Sequence, residues 1–262
     1  MDKFIESAVT RVICSIQENL GEQITIDDMA QTAMFSKFHF TRIFQRATGV
    51  SPGRFLSALR LQEAKRLLLT TSMTVADISH LVGYNSIGTF SSRFHSSVGV
   101  SPTAYRHHGG LLPPPPAART ADAKNPATVR GRLSHSPGCR TDQVILGLFS
   151  DRIAQGVPVS RATLRGAGAF ELADVPEGTW HLLAHASVCS MDNPAHRQLY
   201  VAAWGPIEVT SGMQLGDIDL WLRPKRIFDP PMLLAHLDTA LRTTLPDDSP
   251  ENGISAPARP AA

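Results

Sequence analysis

Between Ile26 and Tyr105 the chain repeats itself. Ile26-Asp27-Asp28-Met29-Ala30, Phe40-Thr41-Arg42-Ile43-Phe44 and Gly49-Val50-Ser51-Pro52 return as Val75-Ala76-Asp77-Ile78-Ser79, Phe90-Ser91-Ser92-Arg93-Phe94 and Gly99-Val100-Ser101-Pro102. The offset is 49 residues at the start and 50 later, so the second copy carries one extra residue in its turn. Two copies are too few for a solenoid, which needs about three or more repeats. A duplicated small unit is what remains.

Each copy reads as two short helices. Thr25 can cap the first, with Asp28 three residues on, and Asp27 and Asp28 suit its positive N-terminal end. That helix ends near Ala33. Ser36 can cap a second, running to about Thr48 with Phe40, Ile43, Phe44 and Ala47 inward, and Gly49 stops it. Two such helices around a three- to four-residue turn, with a small residue (Ala30) where they cross, describe a helix-turn-helix. An ordinary helical hairpin has the same outline.

The second copy follows suit. Thr74 caps with Asp77, Ser79 takes the crossing position, Gly83 makes the turn, and a helix runs from about Ser86 to Val98. Ahead of both, Phe4, Ile5, Ala8, Val12, Ile16 and Leu20 share one helical face. Between them, Ser51-Pro52 opens a helix from Gly53 to about Leu69, since proline is tolerated in a first turn. Such a helix is about 25 Å long at 1.5 Å per residue and reads as a rigid spacer. Successive major-groove windows on one DNA face lie about 34 Å apart. One chain with both units can therefore address two half-sites without a partner.

The stretch from Thr10 to Arg106 resembles the DNA-binding domain of the AraC/XylS family of bacterial transcription regulators. The residues that carry this are Gly49-Val50-Ser51-Pro52, Arg60 through Leu69, Val75-Ala76-Asp77-Ile78, Val82-Gly83-Tyr84, Phe90, Phe94, Gly99-Val100-Ser101-Pro102 and Tyr105-Arg106. The resemblance implies double-stranded DNA as partner, and base contacts from Phe38, Thr41 and Arg42 in the first recognition helix. In the second it implies Ile87, Gly88 and Ser92. Arg42 can bond guanine through two donors, and Phe38 can meet a thymine methyl. Many relatives carry Arg where this chain has Ser92, so the second unit is expected to discriminate less. Ser36, Lys37, His39, Arg46, Arg54, Ser86, Thr89, Ser91 and Arg93 are expected on the backbone or flanking it. Arg46 and Arg54 stand evenly between that role and a structural one. Arg60, Lys65 and Arg66 read instead as surface cations that pair with Glu63 or cover apolar surface.

Charge adds weak support. The net charge is only +2, but residues 1–110 carry 11 Lys and Arg against 8 Asp and Glu, whereas 111–262 carry 14 against 15. Cys14, Cys139 and Cys189 form no CxxC pair, which fits neither a zinc site nor a disulfide framework; all three read as small buried hydrophobes. No apolar run approaches the ~20 residues of a membrane span. Met1 to Glu6 lacks a secretion signal's apolar core. The expectation is a cytoplasmic protein with no membrane contact.

Past Arg106 the pattern changes. Residues 107–127, with prolines at 113–116, read as an extended linker. Over 128–227 eight short runs read as strands: 129–133, 144–149, 159–164, 169–172, 180–188, 199–204, 207–209 and 218–222. Their punctuation by Gly and Pro suggests an antiparallel β-sandwich. The segment Phe170 to Thr179 resembles the strand and turn of carboxypeptidase-regulatory-like, transthyretin-like sandwiches. A short helix is expected over 228–245 and a disordered tail over 246–262.

The expected fold is thus multidomain, α plus β: an N-terminal all-α domain (1–106) with two helix-turn-helix units at about 25–48 and 74–98, a Pro-rich linker, and a sandwich. The expected function is sequence-specific transcription regulation, with the sandwich as effector-sensing, dimerisation or partner surface. RNA polymerase, a small-molecule effector and a second copy of the chain are the candidate partners there. Each half is expected to act alone, so that deleting 128–245 leaves DNA binding intact. A non-specific architectural DNA-binding protein is the alternative. An enzyme is disfavoured, because Cys189 lacks an activating neighbour and no Ser-His-Asp or paired-carboxylate arrangement is evident. His181 and His185 share a strand face, but further metal ligands are not evident. No cofactor or metal is expected.

Overall fold

The computed structural model describes residues 3–110, 126–135, 140–189 and 197–234. Helices fill the first of these segments and strands the rest. The linker residues 111–125, Cys139, residues 235–245 and the tail 246–262 lie outside the described residues.

Local capping chemistry sets the repeat. Thr25 opens α2 (Ile26–Ala33) and Thr74 opens α5 (Val75–Leu81), each through a reciprocal capping box with the aspartate three residues on. The Thr25 hydroxyl holds the Asp28 carboxyl below its ordinary range. The second helices, α3 (Lys37–Thr48) and α6 (Ile87–Val98), both stop on a left-handed glycine, Gly49 and Gly99. The turns differ. Met34 takes the left-handed position in the first (φ 62°) and Gly83 in the second (φ 83°). Only glycine fits the latter, because a Cβ there would stand 2.6 Å from the Leu20 carbonyl oxygen. The extra residue of the second turn is Asn85, whose side chain accepts a 2.9 Å bond from Gln23.

Packing repeats as well. In the first unit Phe40, Phe44 and Phe55 stack in series at 5.5 and 5.4 Å; in the second Phe90, Phe94 and Tyr105 do so at 5.7 and 5.6 Å. Phe55 belongs to α4 (Pro52–Thr70) and Tyr105 to α7 (Pro102–His107), so each unit leans on the helix that follows it. At the crossing of α5 and α6 the Ser79 hydroxyl is buried with no hydrogen-bond partner among the described residues, where the first unit has Ala30. Helix α1 (Lys3–Glu18) buries Ala8, Val9, Val12, Ile13 and Ile16. Phe4, expected on that face, is instead exposed and touches Phe35 edge-on.

α4 is more than a spacer. It is about 28 Å long at 1.5 Å per residue and buries residues on most of its circumference, as a central helix does. Two of its cations depart from the sequence expectation. Arg60 donates to the Leu20 carbonyl (3.0 Å) and the Glu22 carbonyl (2.5 Å), tying α4 to the loop between α1 and α2. Lys65 is 1% exposed; its ammonium donates to the Leu233 carbonyl at 2.9 Å and lies 5.8 Å from the Tyr105 ring centre. Arg66 alone pairs with Glu63 as expected. The helical half also ends later than residue 106: α7 runs through His107, and the Gly110 N–H returns to the Tyr105 carbonyl.

The second half is β-rich, with three corrections. Its strands are β1 (Ala127–His135), β2 (Arg140–Phe149), β3 (Ser160–Leu164), β4 (Gly168–Val175), β5 (Gly178–Cys189), β6 (Arg197–Val209) and β7 (Gln214–Pro224). They form one sheet in the order β3-β2-β5-β6-β7-β1-β4, not two sheets expected to face each other as separate layers. The sheet curls until its edges meet, where the Ser160 hydroxyl of β3 donates to the Ala173 carbonyl of β4 at 2.7 Å. A nearly closed barrel results, filled by residues such as Val129, Leu146, Leu172, Leu182, Ile207 and Leu220. The pairing is also not all antiparallel, because β1 and β7 run parallel. Two of the expected strands, 199–204 and 207–209, are one strand: β6 passes through Gly205-Pro206 with a register shift against β5.

Residues 225–234 form no helix. They run as a strap along the boundary between the halves, after a turn in which Asp229 receives two 2.6 Å bonds from Arg223 and one from the Arg226 N–H. Burial pushes the Asp229 carboxyl up, but these donors outweigh it and hold it below the usual range. Pro230-Pro231 explains the absent helix, since proline removes donors and forces its predecessor extended. An extended segment points successive side chains to opposite sides. Leu233 accordingly joins the helical core, while Met232 and Leu234 pack with Phe149 and Leu183 on the barrel's outer face.

The two halves therefore share a core, contrary to the expectation that each stands alone. Ile153, from the loop between β2 and β3, and Phe228 and Leu233, from the strap, are buried in one cluster with the helical residues.

Candidate nucleic-acid interface

An amphipathic helix with one face in the core must offer the other to solvent or to a partner. α3 commits Phe40, Ile43, Phe44 and Thr48 to the core. Its remaining face starts with Lys37, Phe38 and His39 and continues with Thr41, Arg42 and Arg46. Phe38 is 89% exposed. A phenylalanine left almost wholly in water on an ordered helix is the least expected feature of this surface, because its burial anywhere would be favourable.

The polar neighbours are differently engaged. Arg42 and Arg46 are exposed and make no hydrogen bond or ion pair among the described residues. Lys37 pairs with Asp27 at 2.9 Å, both largely exposed. Thr41 is half-buried and its hydroxyl bonds back to the Lys37 carbonyl. His39 stands edge-on to Phe35, ring centres 4.8 Å apart. Ser36 takes the N-cap place, but its side chain makes no capping bond, so the first-turn N–H groups of α3 are open to an acceptor.

α6 repeats the geometry with other chemistry. Phe90, Phe94, Ser97 and Val98 face inward, leaving Ile87, Gly88, Thr89, Ser92 and Arg93 exposed and Ser91 half-buried. Ile87 is 44% exposed. Ser86 does cap this helix, accepting from the Thr89 N–H at 3.4 Å. With Phe40 over Phe90 and Phe44 over Phe94, the places of Phe38, Thr41 and Arg42 fall to Gly88, Ser91 and Ser92. A Cβ on Gly88 would meet only the Ser86 hydroxyl, at 3.7 Å. No crowding within the chain requires glycine there.

Arg54 is placed apart from these. It lies at the start of α4 and forms an ion pair with Asp151 of the β2–β3 loop. One residue of the surface went unread in the sequence: Gln45, exposed on α3 four residues after Thr41 and three after Arg42. Helical spacing places it on the face that carries Arg42, and glutamine can bond adenine through two groups. Among the described residues no cluster of three or more His, Cys, Asp or Glu could hold a metal ion. His181 and His185 do share the outer face of β5, and His185 is buried there. No helix among the described residues is long and apolar enough to cross a membrane.

Comparison with known proteins bears on residues 29–108, which match the model of a helix-turn-helix domain family. The chain is 32% identical over 104 residues to the HTH-type transcriptional activator AarP of Providencia stuartii, covering 40% of this chain and 77% of that protein. It is 31% identical over 104 residues to the lactose operon transcription activator of Staphylococcus xylosus, again over 40% of this chain, but spans only 37% of that relative's length. Among solved structures, a transcriptional regulator with an AraC-type DNA-binding domain from Chromobacterium violaceum is 26% identical, with a TM-score of 0.38, over 40% of this chain and 93% of that one.

Proposed function

The chain belongs to the AraC family of helix-turn-helix transcription regulators, and from that premise we propose that it binds DNA sequence-specifically through α3 and α6, set into successive major-groove windows. Phe38, Thr41 and Arg42 read bases in the first window. Ile87, Gly88 and Ser92 meet the second and discriminate less. Lys37, His39, Arg46, Ser86, Thr89, Ser91 and Arg93 flank them, and the open first turn at Ser36 suits a phosphate. Arg54 is the weakest member of that set, because Asp151 already engages it.

The observation that carries this reading is Phe38, exposed beside an unpaired Arg42 on an otherwise well-packed helix. A thymine methyl would cover the ring, and guanine would accept from the guanidinium.

The second half is read as the regulatory part, for effector sensing, dimerisation or contact with RNA polymerase. A cavity of about 340 Å³ between β2, β3, β5 and the strap supports the first of these; Ile145, Phe149, Leu183, His185 and Met232 line it.

Gel-shift titration against the DNA upstream of the protein's own gene, with competitor DNA and varied salt, tests the proposal. Arg42→Ala is expected to cost about 1–3 kcal/mol on the specific site and to relax preference at one base pair. An equal loss on every sequence would remove the base-reading role of Arg42. Equal binding of random and specific DNA by the unaltered protein would favour an architectural role.

A further inference from the structure

The loop between β2 and β3 leaves the barrel and touches both recognition helices. At α3, the Arg152 side chain lies across Gly49, where a Cβ would stand 2.5 Å from Nη1. At α6, the Gly156 N–H donates to the Ser97 carbonyl at 2.8 Å. Between these contacts Ile153 is buried in the helical core, and Asp151 pairs with Arg54 at the start of α4. The loop is itself held from behind: the Ala154 carbonyl accepts from the N–H groups of Leu233 (2.9 Å) and Leu234 (3.2 Å) in the strap.

Both contacts fall at the carboxyl-terminal ends of their helices. Phe38 and Ile87, near the amino-terminal ends, stay exposed. A loop so placed can restrain the helices without covering the surface offered to DNA. Within the helical half, the main packing between α3 and α6 runs through α4 with α5 and α7. The loop adds a connection from outside that half.

We propose that residues 151–156 form a bracket across the ends of α3 and α6 and so set the distance and rotation between the two half-sites the protein accepts. This rests on reading α3 and α6 as the DNA-reading helices. One added base pair moves a half-site by about 3.4 Å and turns it by about 34°, so a braced pair of helices rejects it and a loosened pair tolerates it. The barrel thereby acts on specificity without touching DNA.

The test uses the full chain and a pool of randomised duplexes to find the bound motif. Affinities are then measured on duplexes whose half-sites are set one base pair closer, unchanged, or one farther. The unaltered protein should prefer one spacing by on the order of tenfold, equivalent to about 1.4 kcal/mol. Asp151→Ala/Arg152→Ala should narrow that preference to less than about threefold while binding of an isolated half-site is kept. Ile153→Ala should narrow it in the same way, from inside the core. Unchanged spacing preference in both variants overturns the bracket. So does a parallel fall of every affinity, which would make the loop only a support for folding. A pool with no enriched motif would overturn the sequence-reading premise and the bracket with it. An enriched motif with no preferred spacing would overturn the bracket alone.

Discussion

Leu233→Ala is expected to destabilise the helical half by about 2–5 kcal/mol, the range for truncating a buried leucine, although the residue follows the barrel in the chain. Leu233 is 0% exposed and sits in the same apolar cluster as residues of α1, α2 and α4. Its carbonyl accepts from Lys65, 168 residues away, so loosening the strap also disturbs a buried cation's acceptor. Loss of such an acceptor adds to the cavity left by the side chain. All three tryptophans, Trp180, Trp204 and Trp221, are in barrel strands, whereas the helices among the described residues lie in the first half. Denaturant melts followed by tryptophan fluorescence and by helical circular dichroism therefore report the two halves separately. Coincident transitions, both shifted by Leu233→Ala, are the expected result. A shift in fluorescence alone would mean that the strap serves only the barrel.

Arg60→Ala is expected to cost about 1.5–3 kcal/mol, in the range for hydrogen bonds to a charged group. The Arg60 guanidinium donates to the Leu20 and Glu22 carbonyls and lies against Gly83, the turn residue of the second unit. It thus joins the central helix, the loop ahead of the first unit and the turn of the second. Burial lowers the pKa of its guanidinium, but from a value so high that the group stays charged. Arg60→Lys should recover less than half of the loss, since an ammonium cannot reproduce the fork of donors that spans two carbonyls. Thermal melts of the three proteins decide the matter. A cost under about 0.5 kcal/mol for Arg60→Ala would return Arg60 to the class of surface cations that cover apolar area.

These residues also show where sequence reasoning stopped. The capping boxes at Thr25 and Thr74, the stops at Gly49 and Gly99 and the inward phenylalanines were legible, because each depends on residues within a turn or two. Arg60 and Lys65 were misread because their acceptors are backbone carbonyls 40 and 168 residues away, and every residue type carries a carbonyl. Most strands were legible as short runs punctuated by Gly and Pro. The parallel pairing of β1 with β7 was not, since no local pattern encodes which strand ends beside which. The short helix expected over 228–245 is absent from its described part, 228–234, where the apolar side chains serve two surfaces at once, Leu233 on one side and Leu234 on the other.

The interface was legible to a different depth. The family resemblance singled out Phe38 and Arg42 in the first recognition helix, and both are exposed on the open face of α3. It did not exclude Arg54, whose engagement with Asp151 depends on the barrel's position. The matched places in α6 hold Gly88, Ser91 and Ser92, which lack the aromatic ring and the guanidinium of the first unit. The two copies are alike in packing and unlike in the side chains they expose.

That inequality is measured most directly by substituting every base pair of the selected site in turn and titrating the full chain against each duplex. Substitutions under α3 are expected to cost about 1–3 kcal/mol each, the usual penalty for a mismatched pair, and those under α6 less than about 1 kcal/mol. Equal costs under both helices, or larger ones under α6, would contradict the account.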